Sequence, residues 1–210
     1  PEEAPKSLTF STTFKIYLRL TPDPQFALNC ITNLLMYSAM FVWLSGSMLV
    51  IVDGYGISPE IGGLFLAFGS TGFMAGAAIA GRLGTRLGPH KLIIAGSSIA
   101  IVAAAMIIVL HGLNVTTGLA VALPALFWML GHGLHYPQSM AAAVAPFPEN
   151  AGAASSLIGF YQTTAGAIAA VTIGALHDGT AMPLGGLMLG LSVAALVAYT
   201  PFYRRYLKSV

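Results

Sequence analysis

The sequence predicts an all-α membrane protein, a bundle of six transmembrane helices. Of its residues 56% are hydrophobic and 8% are charged, whereas soluble domains carry about 25% charged residues. A helix needs about 20 apolar residues to cross a bilayer, and six stretches reach that length. The predicted spans are Phe26–Val52, Ile61–Gly81, Leu92–Gly112, Thr117–Ala145, Ala151–Leu176 and Leu184–Tyr203. Short segments of alternating polarity, as in a membrane β-barrel, are absent from the sequence.

The basic residues define an orientation for these six spans. All nine Lys and Arg fall before the first span, between the second and third, or after the last: Lys6, Lys15, Arg19, Arg82, Arg86, Lys91, Arg204, Arg205 and Lys208. Six crossings bring those three places to one side of the membrane. The positive-inside rule therefore predicts that both termini are cytoplasmic. Residues 1–25 are interpreted as a cytoplasmic connector, with a disordered tail as the alternative, residues 26–203 as the bundle and 204–210 as a cytoplasmic tail.

The first span carries a polar and aromatic stripe in its inner half. Asn33, Tyr37 and Phe41 follow one another at four-residue steps and so share a helix face. Amides that faced lipid would be costly, so this stripe is expected to face protein or a water-filled cavity. One hypothesis places the three residues in a substrate path, and the alternative is that they serve helix packing.

The second span carries a ladder of small residues. Gly69, Gly72 and Gly76 repeat at three- and four-residue steps, a spacing that lets helix backbones approach closely. Such a seam suits a helix that slides against its neighbour, and it equally suits static packing. We expect Gly152 and Gly159 of the fifth span to serve helix packing in the same way.

The fourth span has the most polar centre. Trp128, His132, His135 and Gln138 are spaced by four, three and three residues, which predicts one shared face beside Pro137. Ionisable residues inside a bilayer mark candidate functional sites. The two histidines are interpreted as neutral cavity-lining donors, with structural hydrogen bonding and protonation during transport as alternatives. Metal binding is not expected, because an i, i+3 pair supplies too few ligands and the single cysteine, Cys30, permits no paired-cysteine site.

The segment between the second and third spans, interpreted as a short loop, resembles the loop motif of the major facilitator superfamily. The matching positions are Gly81, Leu83, Arg86, Gly88 and Lys91, whereas Thr85 stands where that motif has an acidic residue. Five further segments resemble the second half of the Bcr/CflA drug-resistance transporters within that superfamily. They are Leu44–Ser47, Tyr55–Pro59, Tyr136–Gln138, Ala145–Glu149 and Ala151–Gly159.

This resemblance implies a carboxy-terminal half of a major facilitator fold, built as three plus three inverted repeats. It implies export of drugs or small amphipathic molecules by alternating access, driven by the proton gradient without a bound cofactor. Asn33, Tyr37, Phe41, Trp128, His132, His135, Gln138 and Gln162 are the predicted substrate-cavity residues. The expected partners are a small-molecule substrate, the lipid bilayer, expected to be a bacterial inner membrane, and a missing amino-terminal six-helix half, with no role for nucleic acid.

Two other functions are compatible with the composition. A half-size transporter or channel could work as a homodimer. A six-helix intramembrane protease would need a serine nucleophile near a histidine, and no serine here lies in a Gly-x-Ser-Gly-like setting. We therefore expect a transporter and not an enzyme.

Overall fold

The computed structural model describes residues 16–207, with side chains to residue 201, and this part of the chain is helical throughout its regular structure. The long helices are α1 (Pro24–Met48), α2 (Pro59–Leu87), α3 (Pro89–Gly112), α4 (Gly118–Val144), α5 (Ala151–Leu176) and α6 (Met182–Leu207). All six contain a segment long and apolar enough to cross a membrane. The prediction of a six-span helical bundle is confirmed.

Local sequence signals account for the helix starts. The Asp23 carboxylate accepts hydrogen bonds from the backbone N–H groups of Gln25 and Phe26, at 3.0 and 2.9 Å, and so caps α1. The hydroxyl of Thr117 accepts from the backbone N–H of Ala120 at the start of α4. Helices α1, α2 and α3 each have proline in the first turn, where its missing N–H costs nothing.

The connection between the second and third spans is shorter than the loop predicted from the sequence. Helix α2 continues through Arg82 and Arg86 to Leu87, and α3 begins at Pro89, so Gly88 alone separates them. Gly88 has φ 76°, a backbone conformation that glycine adopts without strain and that ends α2. The helix outlasts its apolar segment because Arg side chains can remain solvated on a helix that projects beyond the hydrocarbon.

Helix α4 lies at the centre of the bundle. It packs against α1, α2 and α3, while α1 also contacts α5 and α6, and α3 contacts α6. In the apolar segment of α4, 72% of the residues are buried, against 22% for α2 and 28% for α5. The outward faces of α2 and α5 therefore have no partner in the described part of the chain.

Glycines bring α4 into backbone contact with two neighbours. A side chain at Gly72 or Gly76 of α2 would collide with backbone carbonyls of α4, and Gly96 of α3 and Gly131 of α4 lie against each other in the same way. At Gly69 a Cβ would lie 2.9 Å from the Trp43 ring. These close approaches place the seam predicted for α2 against the central helix.

The two glycines predicted to pack α5 contact no other helix in the described structure. A Cβ at Gly152 or Gly159 would meet no atom within 4 Å, because both positions face outward from α5. Their spacing resembles a packing motif, but the described chain places no helix against it. The amino-terminal part of the predicted connector, residues 1–15, and the end of the predicted tail, residues 208–210, lie outside the described residues.

Candidate functional site

Six rings from three helices form a continuous cluster, which we call the aromatic cluster. Its members are Tyr37 and Phe41 of α1, Phe73 of α2, and Trp128, His132 and Tyr136 of α4. Neighbouring ring centroids are 5.2 to 6.4 Å apart, within the range of favourable aromatic contacts. The row on α4 arises because residues four apart lie on one helix face.

The aromatic cluster lies at mid-depth in the bundle and opens on its surface. Phe73 is at the middle of α2, and Tyr37 and His132 lie near the middle of α1 and α4. The rings of Tyr37, Phe41, Phe73 and Tyr136 are partly exposed, while Trp128 and His132 are buried beneath them. A molecule that reached this face would therefore meet aromatic surface.

A buried polar network joins α1, α4 and α5 beside the cluster. Asn33 donates to the Ser139 hydroxyl at 2.7 Å and accepts a hydrogen bond from the Gln162 amide. Ser139 in turn donates to the backbone carbonyl of Tyr136 at 3.1 Å. We call Asn33, Ser139 and Gln162 the amide network. Because polar groups without partners are costly in an apolar interior, this network positions α5 against α1 and α4.

The two histidines differ in what surrounds them. His132 contacts the rings of Trp128 (5.3 Å) and Phe73 (5.5 Å), whereas the backbone at His135 lies against Gly96 of α3. Both imidazoles are buried, and none of their four nitrogen atoms has a hydrogen-bond partner in the described structure. A three-residue step turns His135 about 60° from His132 around α4, and the described ring contacts with the aromatic cluster are those of His132. That both histidines line one cavity stays a prediction.

Trp128 and Gln138 also lie apart from the open face. The Trp128 indole N–H donates to the Ser192 hydroxyl of α6 at 3.1 Å, and its ring is fully buried. The Gln138 amide donates to the Ala80 carbonyl of α2 at 3.4 Å. Trp128 therefore joins the aromatic cluster on its buried side. Gln138 contacts the end of α2 instead of the aromatic cluster.

Three residues of this region were not among the predicted cavity residues: Phe73, Tyr136 and Ser139. Tyr136 stands four residues after His132, so the same spacing rule could have identified it. Phe73 follows Gly72 in the small-residue ladder, which drew attention to packing. Ser139 carries no signal in the sequence, since its role depends on the position of Asn33 across the bundle.

Charged side chains stay away from the middle of the membrane in the described helices. Arg82, Arg86 and Lys91 are exposed around the α2–α3 turn, at the end of the bundle that we call the basic end. Of the loop-motif positions, Leu83 packs against the small buried group of Ala80, Leu92 and Leu134. Among residues 16–201, no three His, Cys, Asp or Glu side chains come together in a group that could hold a metal ion.

Comparison with known proteins identifies the family. The sequence pattern of the Major Facilitator Superfamily matches residues 1–170. The chain belongs to the major facilitator superfamily. A similar curated protein is an uncharacterized MFS-type transporter, YdgK, of Bacillus subtilis (strain 168), which is 24% identical over 194 residues. The match covers 91% of this chain and 47% of that relative, so the chain spans about half the relative's length. No solved structure matches the chain.

Membership in the superfamily relates the fold to a class of membrane proteins. The chain is an integral membrane protein, and the family to which it belongs is one of transporters and not of enzymes. Binding sites in such transporters lie near the bilayer midplane. The aromatic cluster lies at that depth in this chain, and the amide network lies beside it, towards the basic end.

Proposed function

We propose that this chain is the carboxy-terminal half of a two-lobed, proton-driven transporter that exports small aromatic or amphipathic molecules by alternating access. The observation that carries the proposal is the set of partly exposed rings at mid-depth, contributed by α1, α2 and α4. The resemblance of Tyr136–Gln138 and Ala145–Glu149 to Bcr/CflA transporters favours drug efflux within the superfamily.

The chemistry of the face favours an aromatic substrate of low charge. Tyr37, Phe73 and Tyr136 offer flat apolar surface with two phenol groups at its edge. In the described helices no Asp, Glu, Lys or Arg lies at this depth to neutralise a charged ligand. A charged molecule would therefore lose its hydration here without gaining a counter-ion from this half.

A second six-helix lobe fits the unpartnered faces of α2 and α5. Those faces carry many small exposed residues, which let another helix approach closely. They are Ala67, Ala75 and Ala78 of α2, and Ala167, Gly174 and Ala175 of α5. The length of the relative, about twice the matched stretch, agrees with a second lobe. Motion between the lobes would expose the aromatic cluster to each side in turn.

Proton coupling is proposed to use a carboxylate of the other lobe. Asp and Glu are absent from the middle of the described helices, whereas transport coupled to protons needs a group that titrates while substrate is bound. His132 and His135 are the groups at this depth that ordinarily titrate near neutral pH. His132, in ring contact with the open face, is the alternative proton site.

Accumulation of aromatic drugs in cells that carry the full-length gene tests this function. Tyr136→Leu removes a partly exposed ring and is expected to raise accumulation several-fold, towards the level without transporter. Phe127→Leu is the matched control, because Phe127 is an exposed ring of α4 outside the cluster. An uncoupler that collapses the proton gradient should abolish export by the wild-type protein.

Three results would contradict the proposal. Equal accumulation in the Tyr136→Leu and Phe127→Leu strains would remove the aromatic cluster from the substrate path. Export that survives the uncoupler would remove the proton gradient as its driving force. Full export by residues 1–210 expressed alone would favour a half-size homodimer over a two-lobed carrier.

A further inference from the structure

Helix α5 is attached to the rest of the bundle along one narrow stripe. Its buried residues recur at three- and four-residue steps, so they lie on one face of the helix, and α5 packs mainly against α1. They are Ala154, Leu157, Ile158, Gln162, Gly166, Ala169 and Ile173. The rest of α5 is partly or fully exposed in the described structure. A movement of α5 away from α1 would therefore disturb few other contacts.

Gln162 is the polar member in the middle of this stripe. Its side chain is 5% exposed, and its amide donates a hydrogen bond to the side-chain oxygen of Asn33 in α1. The other described side-chain hydrogen bonds of α5 stay within the helix. They are donated by Ser156, Thr163, Thr164 and Thr172. In the described structure, the bond from Gln162 to Asn33 is thus the one side-chain hydrogen bond between α5 and another helix.

One turn further along α5, Gly166 lies against the aromatic cluster. A Cβ at Gly166 would lie 3.0 Å from two atoms of the Phe41 ring, so the ring packs directly on the backbone of α5. The other side of Phe41 is partly exposed, beside the ring of Tyr37. A molecule that presses on the Phe41 ring therefore presses on helix backbone, which cannot rotate out of the way as a side chain can.

We infer that substrate binding at the aromatic cluster moves α5, and that Gln162 is the positioning residue that holds α5 in place in the absence of substrate. The inference rests on the proposed substrate surface. The Phe41 ring transmits the displacement to Gly166, and the hydrogen bond from Gln162 to Asn33 breaks as α5 moves. Asn33 keeps its bond to Ser139 of α4, so α1 and α4 stay together while α5 separates from them.

The strength of the bond suits a contact that breaks and forms again. A hydrogen bond between two neutral amides shifts an equilibrium by roughly three- to tenfold, so it can set the position of α5 without preventing movement. A single polar residue in an apolar helix seam can also serve only to fix the register of the two helices. If Gln162 served register alone, α5 would stay in place when substrate binds.

Distances between spin labels, measured by double electron–electron resonance on the purified full-length protein, test the inference. The labels are attached at Leu176→Cys on α5 and Val109→Cys on α3, in a protein without its native cysteines. Both positions are exposed and lie at the same end of the bundle. The ligand is an uncharged aromatic dye. A reference pair, Val109→Cys with Leu119→Cys on α4, reports on helices that should not move.

Saturating dye should add a second, longer distance between α5 and α3 in the wild type and leave the reference pair unchanged. Gln162→Met keeps the length of the side chain and removes the amide. It should raise the ratio of the longer to the shorter distance without dye roughly three- to tenfold. Thr163→Val is the matched control, because the Thr163 hydroxyl bonds within α5, and its distances should be those of the wild type.

Dye affinity gives a second measurement on the same variants. Binding to a protein whose competent conformation is rarely populated is weakened by that population. Gln162→Met should therefore bind the dye up to tenfold more tightly than the wild type, and Thr163→Val should bind it equally well. A variant that merely loses part of its fold would not gain affinity, so this readout separates the positioning role from a structural one.

Two ring variants test the path from the substrate to α5. Phe41→Ala removes the ring that touches Gly166, so saturating dye should no longer move α5. Phe73→Leu removes a ring of the aromatic cluster that lies on α2 and contacts rings of α4, and α5 should still respond to the dye. If Gln162→Met does not fold, these variants and the wild type still decide the question.

Three results would overturn the inference. They are an unchanged α5 distance in wild-type protein saturated with dye, a dye affinity of Gln162→Met no higher than that of Thr163→Val, and an equal response of α5 in Phe41→Ala and Phe73→Leu. Failure of the proposed function is a different result, namely equal drug accumulation in the Tyr136→Leu and Phe127→Leu strains. If those strains differ and α5 does not move, the substrate surface stands and the role of Gln162 is wrong.

Discussion

Replacing Gly72 with alanine tests whether α2 and α4 touch through their backbones. A Cβ at position 72 would collide with the carbonyl of Leu126 and would lie 3.0 Å from the backbone nitrogen of Leu130. Backbone atoms within a helix cannot rotate away, so the two helices must separate. Overpacking of this kind costs about 1 to 3 kcal/mol.

Gly63→Ala on the same helix is the control. A Cβ there would meet nothing within 4 Å, because position 63 faces outward. Alanine in place of glycine in a helix contributes about 1 kcal/mol of stability. The same gain applies to Gly72→Ala and cancels in the comparison. If the backbones of α2 and α4 touch at Gly72, the two variants therefore differ in free energy of unfolding by the overpacking cost, about 1 to 3 kcal/mol.

The assay is unfolding of the purified full-length protein in mixed micelles, with increasing sodium dodecyl sulfate and helix content followed by circular dichroism. Gly72→Ala should unfold at a lower detergent fraction than Gly63→Ala, and Gly63→Ala at the same fraction as the wild type or a higher one. Equal transitions for the two alanine variants would refute the backbone contact. If Gly72→Ala proved more stable than Gly63→Ala, the arrangement of α2 on α4 would be refuted.

Three other predictions address the network, the orientation and the histidines. Asn33→Leu leaves the Gln162 amide buried without its acceptor and should lower the free energy of unfolding by about 1 to 3 kcal/mol. Adding Gln162→Leu in a double variant should restore part of that loss. If the losses of the two single variants simply add in detergent unfolding, the network is contradicted. Thr85→Cys, at the basic end, should react with an impermeant maleimide only after the cells are permeabilised, whereas Asp178→Cys should react in intact cells. The reverse pattern would contradict cytoplasmic termini. His135→Leu removes a buried imidazole that has no hydrogen-bond partner. The variant should unfold at the same detergent fraction as the wild type or at a higher one. A loss of more than about 2 kcal/mol in free energy of unfolding would show that the imidazole is hydrogen-bonded in the native protein.

The helical fold followed from the sequence because bilayer thickness and backbone hydrogen bonding leave few choices. The apolar stretch from Leu92 to Gly112 and the helix from Pro89 to Gly112 nearly coincide. The end of α2 was mistaken because hydropathy records where hydrocarbon stops, and the helix continues past that point to Leu87. The break there depends on the positive φ of Gly88, one of several glycines in the segment.

The candidate site was predicted in part, since spacing gives a helix face but not the neighbour that the face meets. Asn33, Tyr37, Phe41, His132 and Gln162 do come together around the aromatic cluster and the amide network. His135 and Gln138 do not, because α4 is surrounded by helices and each three-residue step turns the side chain towards a different one. The docking of residues 16–20 depends on the shape of the α4–α5 turn, which no local pattern encodes.

Equilibrium binding of an uncharged aromatic dye to the purified full-length protein tests most directly whether the aromatic cluster is the substrate surface. Aromatic contacts contribute about 0.5 to 1.5 kcal/mol per ring pair, so Tyr37→Leu combined with Tyr136→Leu should weaken binding roughly tenfold. The control, Phe68→Leu combined with Phe127→Leu, removes two exposed rings outside the cluster and should bind as the wild type does. Equal dissociation constants for the two double variants would contradict the account.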